Sequence, residues 1–375
     1  MKKISKFIKN NYKLFIGLII GGILSGTSVY AANTIYSKNV TYDNSNSGLS
    51  ATNVQDALDE TYSKCMPTAT EKIINLYNDG SNITTAYIGG NASYPSIRLN
   101  TSQGIMLDNN GHYRYYGANP NNYVEFNDEI WRIIGVFNNV DDGTGKSEPR
   151  VKIIKSEKIG DYSWDSSAST INSGNGVNDW SKSDLMTELN TLYYNSTSGT
   201  CYNGSNNTST TCNFSSTGLD STARNMIDNT VYYLGGLASN QLYANDFYDY
   251  ERETTVYNCS VNDGACPRAT TWTGKIGIMY ISDYAYATDL SICTEKGHNY
   301  DNSECASNNW LLLNSDQWTI TPLSNDFSGI LGVFDKGVYA DLTYYSNLIR
   351  PVVYLKSNIT ITGGSGTSTN PYTLG

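Results

Sequence analysis

Hydrophobic residues recur at helical spacing in four stretches of the chain. The stripes run through residues 54–65, 73–77, 185–193 and 223–231. Residues that suit a helix start precede them: Thr52, Thr68, Ser181 and Asp220. Gln55 and Glu71 complete capping boxes with the two threonines. The pattern therefore predicts four amphipathic helices.

Runs rich in β-branched and aromatic residues lie between and after these helices. W-R-I-I-G-V-F (131–137) and R-V-K-I-I-K-S (150–156) flank a polar turn, which predicts a β-hairpin. I-G-I-M-Y-I (276–281) and L-I-R-P-V-V-Y-L-K (348–356) predict later strands. Because strands lie early and late instead of alternating with helices, the chain is expected to form an α+β domain.

The N-terminal segment has the pattern of an export signal. Five lysines and no acid precede the apolar stretch 14–30, and Val29 and Ala31 are placed for cleavage after Ala31. Seventeen residues diluted by Gly, Ser and Thr are short for a bilayer span of about 20. Residues 1–31 are therefore expected to be a removed signal peptide, with an uncleaved anchor as the alternative; only that anchor would bring the protein to a membrane.

Six of the seven cysteines form close sequential pairs around tracts of Asn, Ser, Thr, Gly and Asp. A local disulfide would restrain such a tract, which has little apolar surface to bury. Six free thiols and a zinc site are the alternatives, but the chain has no C-x2-C pair and no histidine at a ligand spacing. Three disulfides imply an oxidising compartment. The predicted pairs are Cys201 with Cys212, Cys259 with Cys266, and Cys293 with Cys305.

Charge disfavours nucleic acid as a partner. The chain has 25 Lys and Arg against 35 Asp and Glu, and loss of the five N-terminal lysines leaves a balance of −15. Such a surface repels phosphate backbones. H-E-x-x-H and G-x-G-x-x-G are absent, and D-F-Y-D-Y-E-R-E (246–253) lacks the EF-hand glycine. That segment is expected to be a solvated acidic loop. No catalytic residue, metal site or cofactor is predicted.

S-G-L-S-A-T-N-V-Q-D-A-L-D-E (47–60) resembles a segment that recurs as a stalk or oligomerising linker in phage tail fibres and bacterial surface proteins. The resemblance implies a stalk over residues 32–65 and a homo-oligomer formed through residues 40–65. Cys65, the odd cysteine, is expected either to bridge two chains or to be a free or lipid-proximal thiol.

Residues 105–373 resemble a family of uncharacterised secreted Firmicutes surface proteins. The shared stretches include W-L-L-L-N-S-D-Q-W (310–318) and I-R-P-V-V-Y-L-K (349–356). The order of elements is more distantly similar to the C-type-lectin-like and formylglycine-generating-enzyme superfamily. It implies a lectin-like head at 105–375, with few helices, antiparallel strands and long disulfide-pinned loops. Residues 66–104, with the capping box at Thr68 and Glu71, are expected to form a helix and a connecting segment. The late thiol pair of the enzymes and the calcium motifs of the lectins are absent.

Aromatic and acidic residues of the expected long-loop face are the ligand candidates, because aromatic rings stack on sugars and anchor interfaces. Glycan or protein binding by a secreted or cell-surface, adhesin-like module is the favoured function. The alternative is a secreted polysaccharide hydrolase that uses paired carboxylates. The ligand-binding candidates are Trp272, Asp283, Tyr284, Trp310, Asp316 and Trp318.

Overall fold

The computed structural model describes residues 37–79, 82–166, 176–254 and 268–375. The chain divides into two compact units, Met1–Cys65 and Met66–Gly375. The predicted signal peptide and the predicted Cys259–Cys266 bridge lie outside the described residues. Within the described part, no helix has the length and apolarity needed to cross a membrane.

The first unit contains a short 3-10 helix, Ser37–Asn39, and helix α1, Val54–Cys65. Asn53 caps α1, since its Oδ1 accepts the Asp56 N–H at 2.9 Å, so the helix starts one residue later than the predicted Thr52 cap. Ala57 is buried, whereas Leu58 is 50% exposed. The predicted apolar stripe thus presents Leu58 to solvent within this unit.

Helices of the second unit are short and lie between the strands. Their bounds are α2 Ala69–Asn78, α3 Asp184–Thr187, continued by a π-helical turn Glu188–Tyr193, α4 Ser221–Met226, α5 Ala244–Glu251, α6 Ile281–Tyr286 and α7 Ser303–Ala306. Short 3-10 turns occupy Ile88–Gly90, Trp180–Lys182 and Gly297–Asn299. Asp220 caps α4 as predicted, but Ser183 and not Ser181 caps α3.

Twenty strands are present in the described residues of this unit. They are β1 Ile83–Tyr87, β2 Ser96–Asn100, β3 Ile105–Leu107, β4 Tyr113–Tyr115, β5 Tyr123–Phe126, β6 Glu129–Asp141, β7 Ser147–Lys155, β8 Gly160–Ser163, β9 Ser198–Tyr202, β10 Ser209–Asn213, β11 Thr230–Tyr233, β12 Thr271–Gly274, β13 Ile276–Gly277, β14 Gln317–Pro322, β15 Gly329–Phe334, β16 Gly337–Leu342, β17 Ser346–Ile349, β18 Val352–Tyr354, β19 Ile361–Gly363 and β20 Thr373–Leu374.

Two sheets form most of the architecture. The larger is an antiparallel path β1-β2-β3-β4-β6-β7-β18-β13, with β5 also paired to β6. The smaller has the order β16-β15-β14-β17-β8, in which only the β14–β17 pair is parallel. The pairs β9–β10, β11–β12 and β19–β20 are separate two-stranded sheets. The predicted α+β class is therefore confirmed: a mixed fold of mostly antiparallel sheets with few helices.

The β6–β7 hairpin lies at the centre of the large sheet, as its sequence predicted. Trp131, Ile133, Val151 and Ile153 are buried in the core. Gly135 is needed where β4 approaches β6, because a Cβ at this position would lie 2.2 Å from the Tyr113 carbonyl oxygen. The dense apolar pattern of both strands thus reflects burial on two faces.

Two strands between residues 66 and 104, β1 and β2, belong to this same sheet. The capping box at Thr68 and Glu71 begins α2 as predicted, and Ile73 and Tyr77 of the helix join the common core. Strand β2 pairs with β1 and with β3. The segment expected to connect stalk and head therefore contributes a helix and two strands to the second unit.

Two of the three predicted disulfides are present, Cys201–Cys212 and Cys293–Cys305. Cys201 and Cys212 lie on the hairpin β9–β10 and are both buried. The polar tract between them is thus an ordered antiparallel ribbon. The second bridge ties the segment after α6 to helix α7, where Cys305 is buried.

We expect peptide mapping of the purified protein, alkylated before digestion and without reductant, to recover peptides linked through these two pairs. The same map tests the remaining predicted pair, Cys259 with Cys266. Reduction before alkylation is the control: each bridged cysteine should then carry an alkyl group, and a peptide cleaved between its two cysteines should separate into two. Recovery of Cys201 or Cys293 as an alkylated free thiol would contradict the bridges.

Candidate functional site

A surface depression of about 270 Å³ lies along strand β16, the edge strand of the five-stranded sheet. Its floor and walls combine two aromatic rings with three carboxylates. The residues that line it are Asp316, Phe334, Asp335, Tyr339, Ala340 and Asp341. Its volume is near the lower limit of ligand pockets, about 300 Å³.

A tight hairpin turn positions one end of the depression. Asp335 and Lys336 connect β15 to β16 with positive φ angles of 47° and 71°, as a two-residue type I′ turn requires at both positions. The Asp335 backbone N–H donates to Asp316 Oδ1 at 3.0 Å. This hydrogen bond holds Asp316, just before β14, against the turn.

Tyr339 and Asp341 point to the same side of β16 because side chains alternate along a strand. Tyr339 pairs with Gly332 of β15, so no side chain stands opposite its ring. The ring is 38% exposed, and its hydroxyl donates to the His298 carbonyl oxygen at 3.0 Å. The depression therefore presents an aromatic ring in a fixed orientation.

Asp341 differs electrostatically from an ordinary surface carboxylate. Partial burial raises its pKa, and the Asp316 carboxylate raises it further, although hydrogen bonds from the Leu342 backbone and from Asn347 oppose the shift. The two carboxylates thus interact across the depression.

The chemistry of the lining restricts what it binds. An ionised carboxylate only accepts hydrogen bonds, and none of the described residues that line the depression is a Lys or an Arg. A ligand must therefore supply donors such as hydroxyl or ammonium groups. An exposed ring between carboxylates suits a hydroxyl-bearing ring that stacks on one face and donates at its edge.

Only one of the six predicted ligand residues lines this depression. Asp316 is that residue. Trp318 contacts the lining residue Phe334, and their ring centres lie 5.6 Å apart in an edge-to-face arrangement. Trp318, Trp310, Tyr284 and Asp283 are each at most 5% exposed, so they offer no open face in this structure. Trp272 is half-buried and packs against Trp180 and Tyr232.

Tyr339 and Asp341 are the residues that the sequence analysis missed. The sequence feature that indicates them is short: in V-F-D-K-G-V-Y-A-D (333–341), a turn is followed by residues in which apolar and polar side chains alternate. The alternation indicates that Tyr339 and Asp341 share a face, but sequence gives no means of knowing that β16 is an edge strand.

Asp283 instead lies at the centre of a buried charge cluster. It forms an ion pair with Lys152 and another with Arg114, whose Nη1 is 3.3 Å from Asp283 Oδ1. Arg114 Nε also donates to Asp108 at 2.6 Å. Burial opposes ionisation of Asp283, but Lys152 and Arg114 outweigh it and hold the pKa of this carboxyl below its usual value.

The cavity beside this cluster is too small for an organic ligand. It measures about 30 Å³ and is bordered by His112, Tyr248 and Arg252, among others, which is room for roughly one water molecule. His112 Nδ1 accepts the Asn138 N–H at 3.2 Å, and its Nε2 lies 2.6 Å from the Tyr248 hydroxyl. These contacts indicate a structural role for the cluster.

The acidic segment 246–253 is not a solvated loop, contrary to prediction. Most of it is helix α5, and Glu251 at its end is buried. The Glu251 carboxylate accepts from the Ser282 N–H and from Thr321 Oγ1, both at 3.0 Å. The helix turns its last acid, Glu251, toward the interior.

Among the described residues, no group of three or more His, Cys, Asp or Glu side chains is placed to hold a metal ion. Comparison of the chain with family models, with curated proteins and with solved structures finds no match.

Proposed function

We propose that this protein is an extracellular binding protein whose second unit holds a glycan in the depression along β16. The observation that carries the proposal is the combination, on a rigid sheet, of the oriented Tyr339 ring with the carboxylates of Asp316, Asp335 and Asp341. These groups suit a neutral or amino sugar, which has both an apolar ring face and hydrogen-bond donors.

Export is the second part of the proposal. The basic and apolar N-terminal segment supports it, as do two disulfides in a protein of this size, because such bonds persist in oxidising compartments. The protein is then secreted or displayed at the cell surface. Residues 40–65 would join sister chains, and the exposed Leu58 of α1 supplies apolar surface for that contact.

A lectin-like head is the fold that fits this function. Support comes from the mixed, mostly antiparallel sheets, from helix α6 following strand β13 closely, and from the bridge at Cys293–Cys305. We propose on these grounds that the second unit has a C-type-lectin-like fold.

We expect replacement of Tyr339 by alanine to weaken glycan binding about tenfold or more. Loss of ring stacking removes roughly 1 kcal/mol plus the buried apolar area, and 1.4 kcal/mol corresponds to a factor of ten. A glycan array with the purified full-length protein identifies the ligand, and calorimetry measures its Kd. Tyr345→Ala is the matched control, because Tyr345 is 48% exposed and lies outside the lining. An unchanged Kd for Tyr339→Ala would refute this site.

A secreted polysaccharide hydrolase is the second candidate, and one observation favours it. Asp341 has a raised pKa beside Asp316, the relation expected of an acid paired with a second carboxylate in glycoside hydrolysis. Incubation with the same glycans and assay of reducing ends separates the two functions. Turnover that is lost in Asp341→Asn would establish the hydrolase and overturn the binding proposal; binding without product release supports it.

A further inference from the structure

Arg350 is a buried cation whose hydrogen-bond partners are all neutral. It lies between β17 and β18 and is 4% exposed. Its Nε and Nη2 donate to Gln317 Oε1 at 3.1 and 2.9 Å, and Nη2 also donates to the Leu311 carbonyl oxygen at 2.8 Å. No carboxylate among the described residues forms an ion pair with it, and its Nη1 has no acceptor there.

Arg132 of β6 also has only neutral hydrogen-bond partners, but it is half-buried and reaches solvent. Its guanidinium lies between the rings of Tyr123 and Trp310, 4.1 and 4.6 Å from their centres. Nε donates to Asn122 Oδ1 at 2.7 Å, and Nη2 lies 3.4 Å from Asn119 Oδ1. These acceptors are neutral amides, and within the described chain Arg132 also lacks an ion-pair partner.

The two arginines approach each other at the segment Trp310–Leu311. Arg132 stacks on the ring of Trp310, and Arg350 donates to the carbonyl of the next residue. Burial lowers the pKa of Arg350 to about 9, and repulsion from Arg132 contributes in the same direction, ahead of the opposing effect of Glu157. Two neighbouring cations that form no ion pair are costly to bury.

Most other buried cations among the described residues have carboxylate partners. Arg114 pairs with Asp108 and Asp283, and Lys155 pairs with Glu129. Arg268 donates to backbone carbonyls, as Arg350 does, but its charged neighbour is Asp179, which favours the cation. Arg132 and Arg350 thus differ from Arg114 and Lys152, which are also neighbouring cations but share the Asp283 carboxylate.

We propose that Arg132 and Arg350 form an anion site that takes the carboxylate of an acidic sugar. Nε and Nη2 of Arg132 donate to protein oxygens, whereas its Nη1 has no acceptor among the described residues and can donate to a carboxylate. Arg350 supplies a second positive charge nearby. Asn119 and Tyr123 at the rim, whose side chains are hydrogen-bonded to each other at 3.0 Å, provide polar groups for sugar hydroxyls. This site lies outside the acidic depression and does not depend on the function proposed there.

Binding of glucuronate to the full-length protein at low ionic strength tests the site, with glucose as the neutral match. We expect glucuronate to bind with a lower Kd than glucose, and its Kd to rise as salt increases. Arg132→Gln should raise the Kd at least tenfold, whereas Arg98→Gln, at an exposed position of β2, should leave it unchanged. Arg132 is half-buried, so this variant is expected to fold; its far-ultraviolet circular dichroism verifies that.

Equal affinity for glucose and glucuronate, or wild-type affinity in Arg132→Gln, would overturn the proposal. The proposal would also be overturned if the protein bound a peptide through its free C-terminal carboxylate but bound no uronate. Tyr339→Ala serves as the second control, because glucuronate binding should persist in this variant. The result therefore tests the arginine site separately from the glycan site proposed in the depression.

Discussion

Replacement of Asp283 by asparagine is expected to lower the free energy of unfolding by about 3–5 kcal/mol. Asparagine keeps an acceptor for the Tyr280 N–H, which Asp283 Oδ2 binds at 2.9 Å at the start of α6. It removes the charge that compensates Lys152, which is 0% exposed, and one of the two that compensate Arg114. Breaking a buried pair from one side leaves an uncompensated charge, and this costs about 3–5 kcal/mol.

Urea denaturation at pH 7 measures the effect. Asp316→Asn is the matched control: its carboxylate is exposed, and a surface change of this kind alters stability by about 0.5 kcal/mol or less. The double variant Lys152→Met with Asp283→Asn should recover part of the loss, because both members of the buried pair are then neutral. A loss below about 1 kcal/mol in Asp283→Asn would show that the cluster is not closed to water.

Replacement of Glu188 by glutamine is expected to stabilise the protein at neutral pH. Glu188 opens the π-helical turn after α3 and is 4% exposed. Its Oε1 accepts the Tyr202 N–H of β9 at 2.8 Å, whereas its buried Oε2 accepts no hydrogen bond from the described residues. Burial raises the pKa of this carboxyl to about 8 from an ordinary value of 4.5, despite the opposing hydrogen bond from Tyr202.

The sign of the pH dependence follows from these two values. The unfolded chain releases the Glu188 proton above pH 4.5, but the folded protein retains it until about pH 8. The contribution of Glu188 to stability is therefore full below pH 4.5 and falls as the pH rises toward 8. Glutamine does not titrate, so Glu188→Gln should gain about 3 kcal/mol over the wild type at pH 7 and almost nothing at pH 4.

Denaturation of both proteins from pH 4 to pH 8.5 yields the difference curve directly. Because all other groups are common to both proteins, the difference isolates position 188. Glu157→Gln, at an exposed glutamate, is the control and should give a flat difference. A flat difference for Glu188→Gln as well would mean that Glu188 is ionised in the folded protein.

Local features were predictable from the sequence for a physical reason. The capping box at Thr68 joins residues three apart, and the β6–β7 hairpin closes through a short turn. The Cys201–Cys212 bridge spans eleven positions. Each interaction depends on neighbours along the chain, so the pattern of residues is sufficient to indicate it.

The ligand candidates were less predictable, because residue type does not indicate which side of an element is covered. Trp310 donates its Nε1–H to the Tyr115 carbonyl, 195 positions away, and so lies in the core. Asp283 meets Lys152 across 131 positions and Arg114 across 169. When the ion-pair partners of a carboxylate are this distant in sequence, the local pattern of residues does not show that the carboxylate is paired.

The sequence by itself determined the α+β class, the central hairpin and two short disulfides, since these require only local pattern and spacing. Tertiary structure alone decided that β16 is an edge strand with Tyr339 and Asp341 facing outward, that Asp283 is neutralised in the core, and that Arg132 meets Arg350. Those outcomes depend on which distant strands pair, because pairing determines which side chains remain in water and which charges are brought together.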